Sequence, residues 1–208
     1  MNMKKVMTDV LKMPYYKNYA ATSGAVHNIA KHEDAVETVL LKYGFSKSKR
    51  KKVRLKERDE WLEEASSCDM KDNTYVLQPC GKQQSPDFIV KEHGKVFFLE
   101  CKSVKGQTKA PMYNSGVPKG EYIYIFCAER YNQTTIYFGK DVLPPKDYDL
   151  MMKIIKLHRE IDEKYNPEFT NDFGINHYTR PMIKHVGGTD YFDNSRRERV
   201  EQGVLDAI

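Results

Sequence analysis

The chain has 208 residues, of which 40% are hydrophobic, 30% charged and 12% aromatic. This globular composition, with 14 tyrosines and 9 phenylalanines, excludes general disorder and collagen-like or low-complexity chains. The length suits one hydrophobic core with an appended subdomain. The net charge is only +5, so where the charges lie says more about partners than their total does.

The composition also bears on the compartment. No stretch of 18 apolar residues and no secretory signal is present, so we expect no membrane partner. The chain has four cysteines and no C-x-x-C pair, which predicts buried free thiols in a reducing, cytoplasmic setting. His32-Glu33 begins like the zinc motif H-E-x-x-H, but residue 36 is valine, so that motif fails.

The first half of the chain favours helices. A short helix is predicted near residues 6–13, and Asn28 is a plausible N-cap for a second helix that ends near Gly44. A dense basic segment, residues 47–58, follows and has a composition compatible with a helix that continues through Leu62.

The second half favours strands and then helices. We predict five strands, at residues 75–78, 87–90, 96–103, 122–127 and 134–138. A long loop of glycine, proline and lysine occupies residues 103–121. A helix over residues 147–165 carries one apolar stripe, and residues 194–208 favour a terminal helix; the stripe consists of Leu150, Ile154, Leu157 and Ile161. The fold class is therefore mixed α/β or α+β.

Two charged side chains prolong a strand that should be buried. Residues 96–99 are continuously apolar, as in a strand covered on both faces. Glu100 and Lys102 follow directly and point to the same face, because side chains alternate along a strand. Such charges need partners, since burying a charge alone is costly.

The preceding hairpin supplies a second carboxylate. If His93 and Gly94 form the centre of the turn, counting back along both strands places Asp87 directly opposite Glu100. A three-residue loop would change this register. Two facing carboxylates repel each other, and a divalent cation between them relieves the repulsion better than Lys102 alone. Carboxylate oxygens are the ligands that Mg²⁺ prefers.

A third carboxylate lies on the helix before these strands. At 100° per residue, Glu33 falls about 40° from Ile29, inside the apolar stripe that we predict for Ile29, Val36 and Leu40. Glu37 falls about 80° from Ile29, at the border of the stripe. The alternative for Glu33 is a glutamate at the stripe edge that reaches solvent or pairs with a core arginine.

These residues together resemble a known signature. Ser85-Pro86-Asp87, followed by Glu100-Cys101-Lys102 at the end of a hydrophobic strand, is similar to the motif of PD-(D/E)XK nucleases. Glu33 and the later Gly44-Phe45 resemble the first helix of many members, which include archaeal Holliday-junction resolvases and restriction endonucleases. The resemblance covers about residues 27–140 and implies a restriction-endonuclease-like core, a central mixed β-sheet flanked by helices.

The resemblance also implies roles for individual residues. Asp87 and Glu100 would bind Mg²⁺, with Mn²⁺ as a substitute, and the backbone carbonyl of Cys101 would touch the same ion. Lys102 would hold or activate the attacking water. Glu33 would bind a second ion or orient water. The expected products carry a 5′ phosphate and a 3′ hydroxyl, and no nucleotide cofactor is expected.

The resemblance also implies double-stranded DNA as the partner, and basic segments of the chain suit its phosphate backbone. One run lies within residues 47–58, and the loop after the motif adds three lysines. The candidate DNA-binding residues are Lys49, Arg50, Lys51, Lys52, Arg54, Lys105, Lys109 and Lys119. The alternative for the first run is a solvated helix or a disordered tract. A looser C-terminal set, which includes Arg180, Arg196 and Arg197, is equally well explained as surface charge.

The leading hypothesis is a single nuclease domain over residues 1–208, acting as a homodimeric type II restriction endonuclease. Residues 145–208 form an extension beyond the core that would carry specificity or dimer contacts. One alternative is a structure-selective nuclease, such as a Holliday-junction resolvase or a phage recombination nuclease, although these tend to be shorter. Another is a DNA-binding protein without catalysis, which the intact Asp87, Glu100 and Lys102 disfavour.

Overall fold

The computed structural model describes residues 2–22, 31–114, 116–170, 172–179, 182–185 and 187–208. The helices are α1 Asn2–Leu11, α2 Tyr16–Thr22, α3 His32–Lys42, α4 Leu55–Glu63, α5 Gly139–Val142, α6 Pro145–Tyr165 and α7 Asn194–Ala207. The strands are β1 Ser46–Lys47, β2 Thr74–Leu77, β3 Phe88–Glu92, β4 Lys95–Val104, β5 Ile123–Ala128 and β6 Gln133–Phe138. Single 3₁₀ turns occur at Ala65–Ser67 and Asn166–Glu168.

The six strands form one mixed sheet in the order β1-β2-β3-β4-β5-β6. Strands β2, β3 and β4 form an antiparallel meander, β5 runs parallel to β4, and β6 returns antiparallel to β5. The parallel pair needs a long crossover, which the predicted loop after residue 104 supplies. The predicted mixed α/β class, a mixed sheet flanked by helices, is confirmed.

The β3–β4 hairpin has the register that the sequence predicts. His93 and Gly94 both adopt positive φ, at 49° and 75°, as a two-residue turn of the primed type requires. Glu92 pairs with Lys95 and Phe88 with Leu99, so Asp87 lies at the level of Glu100. The hairpin therefore fixes the positions of both carboxylates.

The sheet separates two apolar clusters. Phe97 and Leu99 of β4 face α1 and α3, whereas Phe98, between them, faces the side of Trp61 and Tyr122. Because side chains alternate, Glu100 and Lys102 belong to the second face. Helix α7 covers the free edge of β6, and its Arg197 donates to the Thr134 carbonyl at 3.2 Å.

The basic segment does not form the helix that the sequence favours across its whole length. Residues 48–53 run alongside β2, where the Ser48 amide donates to the Tyr75 carbonyl and the Val53 amide to the Pro79 carbonyl, both at 2.8 Å. Helix α4 begins only at Leu55. These long-range backbone hydrogen bonds override the local helical propensity.

The predictions for the start of α3 and for the apolar stripe of α6 have different outcomes. The predicted N-cap Asn28 and the stripe residue Ile29 lie outside the described residues, and the described helix α3 begins at His32. Helix α6 forms where predicted, but its apolar stripe remains exposed, and Ile155 is its buried residue.

All four cysteines are free; Cys68 and Cys127 are buried, whereas Cys80 and Cys101 are half-buried. Within the described ranges, none of the helices combines the length and apolarity needed to cross a membrane.

Glu92 anchors α1 to the hairpin, and its replacement tests this contact. The buried carboxylate accepts hydrogen bonds from the backbone amides of Asn2, at 2.6 Å, and Met3, at 3.1 Å. A carboxylate at a helix N-terminus is favourable because it satisfies free amides and opposes the helix dipole. We expect Glu92→Gln to lower the free energy of unfolding by about 1–2 kcal/mol in urea denaturation. Exposed Glu63→Gln is the control, and equal stability of the two variants would contradict the capping role.

Candidate functional site

Asp87 is held at the start of β3 by contacts on both sides. Its Oδ2 accepts a hydrogen bond from the backbone amide of Cys101 on β4 at 2.8 Å. The preceding Ser85 carbonyl accepts from the Arg58 guanidinium of α4 at 3.0 Å. Arg58 is itself buried and contacts Asp59 at 2.7 Å. The segment carrying Asp87 is thereby clamped between the next strand and α4.

Glu100 and Lys102 form a close pair on β4. The Lys102 ammonium donates to Glu100 Oε1 at 2.7 Å, and both side chains are largely buried. The other oxygen of Glu100, Oε2, is buried and accepts no hydrogen bond from the described part of the chain. A buried carboxylate oxygen without a donor is costly, because it has lost water without replacement.

The electrostatics of the two carboxylates, Asp87 and Glu100, favour an added positive charge. Burial, together with the negative charges of Glu100 and Glu33, raises the pKa of Asp87 to about 7, against the opposing Cys101 amide and Lys102. Burial likewise raises the pKa of Glu100, and Lys102 only partly compensates. The site is therefore short of positive charge, which a proton or a bound cation would supply.

Glu33 and Glu37 differ in their partners but not in their burial. Both side chains are half-buried, so the placement of Glu33 inside the apolar stripe is wrong. The buried face of α3 centres on Ala35, Val36 and Val39, and Glu33 lies at its margin.

The two glutamates differ in the groups on which each of them acts. Glu37 Oε1 accepts from the Tyr75 hydroxyl at 2.7 Å and from Lys47 at 3.2 Å. The negative charge of Glu33 instead raises the pKa values of Asp87 and Glu100. Glu33, in the first turn of α3, thus acts electrostatically on Asp87 and Glu100 although α3 packs on the opposite face of the sheet.

Sequence reasoning missed two residues beside the pair. His32 is buried, and its ring lies beside the backbone of Lys102. Burial lowers its pKa to about 4, so the ring is neutral. Arg58, at the end of the basic run of residues 47–58, holds the Ser85 carbonyl. No signal in the sequence marks either residue, since both depend on contacts between distant segments.

The candidate DNA-binding cations fall into two groups. Four are held in ion pairs: Arg50 with Glu57 and Asp69, Arg54 with Glu57, Lys109 with Asp190, and Lys119 with Asp59. Arg50 also lies over the Trp61 ring at 5.0 Å. The others are exposed and make no ion pair with the described residues; they are Lys49, Lys51, Lys52 and Lys105.

The C-terminal cations are mostly structural. Arg196 donates to the Asp141 carbonyl at 2.7 Å, and Arg197 binds Glu201 at 2.6 Å. Arg180 lies outside the described residues. The surface-charge interpretation of this set therefore fits poorly for Arg196 and Arg197, which join the C-terminal helix to the body.

A metal ion at this place would need ligands from outside the protein side chains. Over the described ranges, no three His, Cys, Asp or Glu side chains come close enough to hold a metal ion by themselves. Asp87 and Glu100 would offer two carboxylates, which is the number that Mg²⁺ commonly takes, with water and substrate phosphate filling the rest.

Comparisons of the chain with protein families, with curated proteins and with solved structures found no match.

The raised pKa of Asp87 predicts a pH dependence of stability. Without divalent ions, the folded state binds more protons than the unfolded state between about pH 4 and pH 7, so stability falls as pH rises through this window. Asp87→Asn removes this penalty but still accepts the Cys101 amide. The variant should match the wild type near pH 4 and exceed it by about 2–4 kcal/mol at pH 8 in urea denaturation with EDTA.

The matched control is the exposed Asp149→Asn, which should follow the wild type at every pH. If Asp87→Asn gains no stability over the wild type between pH 4 and pH 8, burial and the charges of Glu100 and Glu33 do not destabilise the charged form of Asp87.

Proposed function

We propose that this chain is a divalent-metal-dependent endonuclease that hydrolyses phosphodiester bonds of double-stranded DNA. The observation that supports this most is the buried Glu100 beside the half-buried Asp87, with Lys102 next to them and Glu100 Oε2 without a donor in the described part of the chain. The resemblance of Ser85-Pro86-Asp87 and Glu100-Cys101-Lys102 to the PD-(D/E)XK motif points to the same chemistry.

The donor set suits Mg²⁺. The carboxylates of half-buried Asp87 and buried Glu100 have raised pKa values and repel each other, and an ion that binds both would remove that cost. Asp87 and Glu100 would hold it, with the Cys101 carbonyl as a further oxygen. When bound, Mg²⁺ supplies charge against the phosphate and lowers the pKa of a coordinated water.

The remaining groups would orient the reactants. Lys102 offers a positive charge to the scissile phosphate, where negative charge develops, and holds the attacking water. That water attacks phosphorus, the bond to the 3′ oxygen breaks, and the 3′ oxygen takes up a proton. Glu33 would accept a hydrogen bond from the water network on the α3 side. The products keep the 5′ phosphate.

The exposed lysines would bind the phosphate backbone. Lys49, Lys51 and Lys52 lie together in an extended segment and are not committed to ion pairs with the described residues, so their charges are available to a polyanion. Such contacts give affinity that does not depend on base sequence and weakens with salt. Arg50 would not contribute, because its guanidinium is shared between two carboxylates.

We further propose sequence-specific cleavage, as in a type II restriction endonuclease. The purified chain with Mg²⁺ and phage genomic DNA should yield discrete fragments whose sequenced ends share one short site. Cleavage of branched substrates alone would favour a structure-selective nuclease instead.

Lys102→Ala tests the catalytic assignment. We expect a loss of cleavage rate of at least about 100-fold with retained DNA binding, because one electrostatic donor at the reacting phosphate is typically worth this much. Exposed Lys95→Ala, at the start of the same strand, should cleave like the wild type. Retained cleavage by Lys102→Ala, or loss of DNA binding by a folded variant, would contradict the role.

The two glutamates of α3 give a matched pair of variants. Glu33→Gln should slow single-turnover cleavage about 10-fold or more, because it removes the charge that acts on Asp87 and Glu100. Glu37→Gln should change the rate less than about twofold, since the amide oxygen still accepts from Tyr75 and the side chain acts elsewhere. The reverse ranking would exclude Glu33 from the site.

A further inference from the structure

Helix α6 presents two different faces. Ile155 is buried, and Tyr148 and Asp162 are half-buried on the same side, toward the body of the protein. The apolar stripe lies about 130° around the helix from Ile155. Its members keep much of their surface in water: Leu150 58%, Ile154 41%, Leu157 58% and Ile161 52%. Four large aliphatic side chains in a row on one exposed helix face suggest an interaction site.

The spacing of the stripe narrows the kind of partner. The positions are separated by four, three and four residues, which is the 3.5-residue repeat of a two-helix seam. A helix that packs on a sheet or a globular groove shows a broader apolar face. The stripe is therefore built to pair with a single helix along its length.

The charges that flank the stripe select its occupant. If a second α6 runs antiparallel, centred between Ile154 and Leu157, Leu150 meets Ile161 of the other copy and Ile154 meets Leu157. The next seam positions outward are Asp147 and Lys164, so each end brings opposite charges together. Lys153 and Glu160, on one flank, also meet with opposite sign.

A parallel pairing has the opposite consequence. It would place Asp147 against Asp147 and Lys164 against Lys164, with like charges at both ends. The antiparallel pairing is also self-complementary about a twofold axis, as a symmetric dimer requires. Asp147, Lys153, Glu160 and Lys164 are all exposed; Glu160 also lies 3.8 Å from Lys156 of its own helix, an exposed ion pair that it would share with the second chain.

We propose that α6 binds α6 of a second copy of this chain, antiparallel, through the seam of Leu150, Ile154, Leu157 and Ile161. This inference rests on the helix and its charges, and it stands whether or not the chain cleaves DNA. The body face of α6 lines a pocket beside Ser85 with Tyr148, Ile155 and Arg159. Pairing would therefore use the face turned away from the candidate functional site.

The oligomeric state of the full chain tests the pairing. Sedimentation velocity from about 1 to 100 μM should show a concentration-dependent dimer for the wild type. The double variant Ile154→Glu, Leu157→Glu should be monomeric over this range, because four buried glutamates would meet at the centre of the seam. Leu55→Glu, which places the same charge at another exposed leucine (46%), should dimerise like the wild type.

An exchange of charges tests whether the two α6 helices run antiparallel. Its result does not depend on whether the variant with Ile154→Glu and Leu157→Glu folds. Asp147→Lys should raise the dissociation constant about tenfold, and adding Lys164→Asp should restore it. A parallel seam cannot give this rescue, because both variants keep like charges at both ends. A wild type that stays monomeric at 100 μM, a dimer that survives the double glutamate, or a failed rescue would each overturn the proposal as stated.

Discussion

The register of the β3–β4 hairpin is the constraint on which the candidate site depends. A two-residue turn with His93 and Gly94 at positive φ leaves one pairing of the strands, and that pairing sets Asp87 level with Glu100. A shift by one residue would send Glu100 and Lys102 to the other face of the sheet. The repulsion between the two carboxylates therefore follows from the backbone conformation of a turn that lies six residues from each of them.

The surrounding structure holds this unfavourable arrangement in place. The Cys101 amide and Lys102 supply donors, and Arg58 fixes the backbone just before Asp87. Helix α3 adds Glu33, a further negative charge, and His32, a buried neutral ring beside the Lys102 backbone. A site that only stabilised the fold would gain from replacing these groups with apolar ones. Their presence is physically reasonable if a cation completes them.

Basic residues that look alike in the sequence have different roles in the structure. Within the basic segment, Arg50 joins Glu57, Asp69 and Trp61, whereas the neighbouring lysines are exposed. An arginine with two carboxylate partners is a structural link between the extended segment and α4. The same distinction holds on α6, where Ile155 packs on the body and Ile154, next to it, faces solvent.

The sequence by itself determined five of the six described strands, the hairpin register and the extents of α6 and α7 closely, because these follow from short-range periodicity and from one turn; it did not predict β1. It also placed Asp87, Glu100 and Lys102 together, since their proximity requires only one hairpin. The extended path of residues 48–53, the burial of Arg58 and His32, and the different partners of Glu33 and Glu37 were decided by the tertiary structure. Periodicity shows that a helix face is apolar, but what covers that face, or leaves it exposed as on α6, depends on segments far apart in the chain.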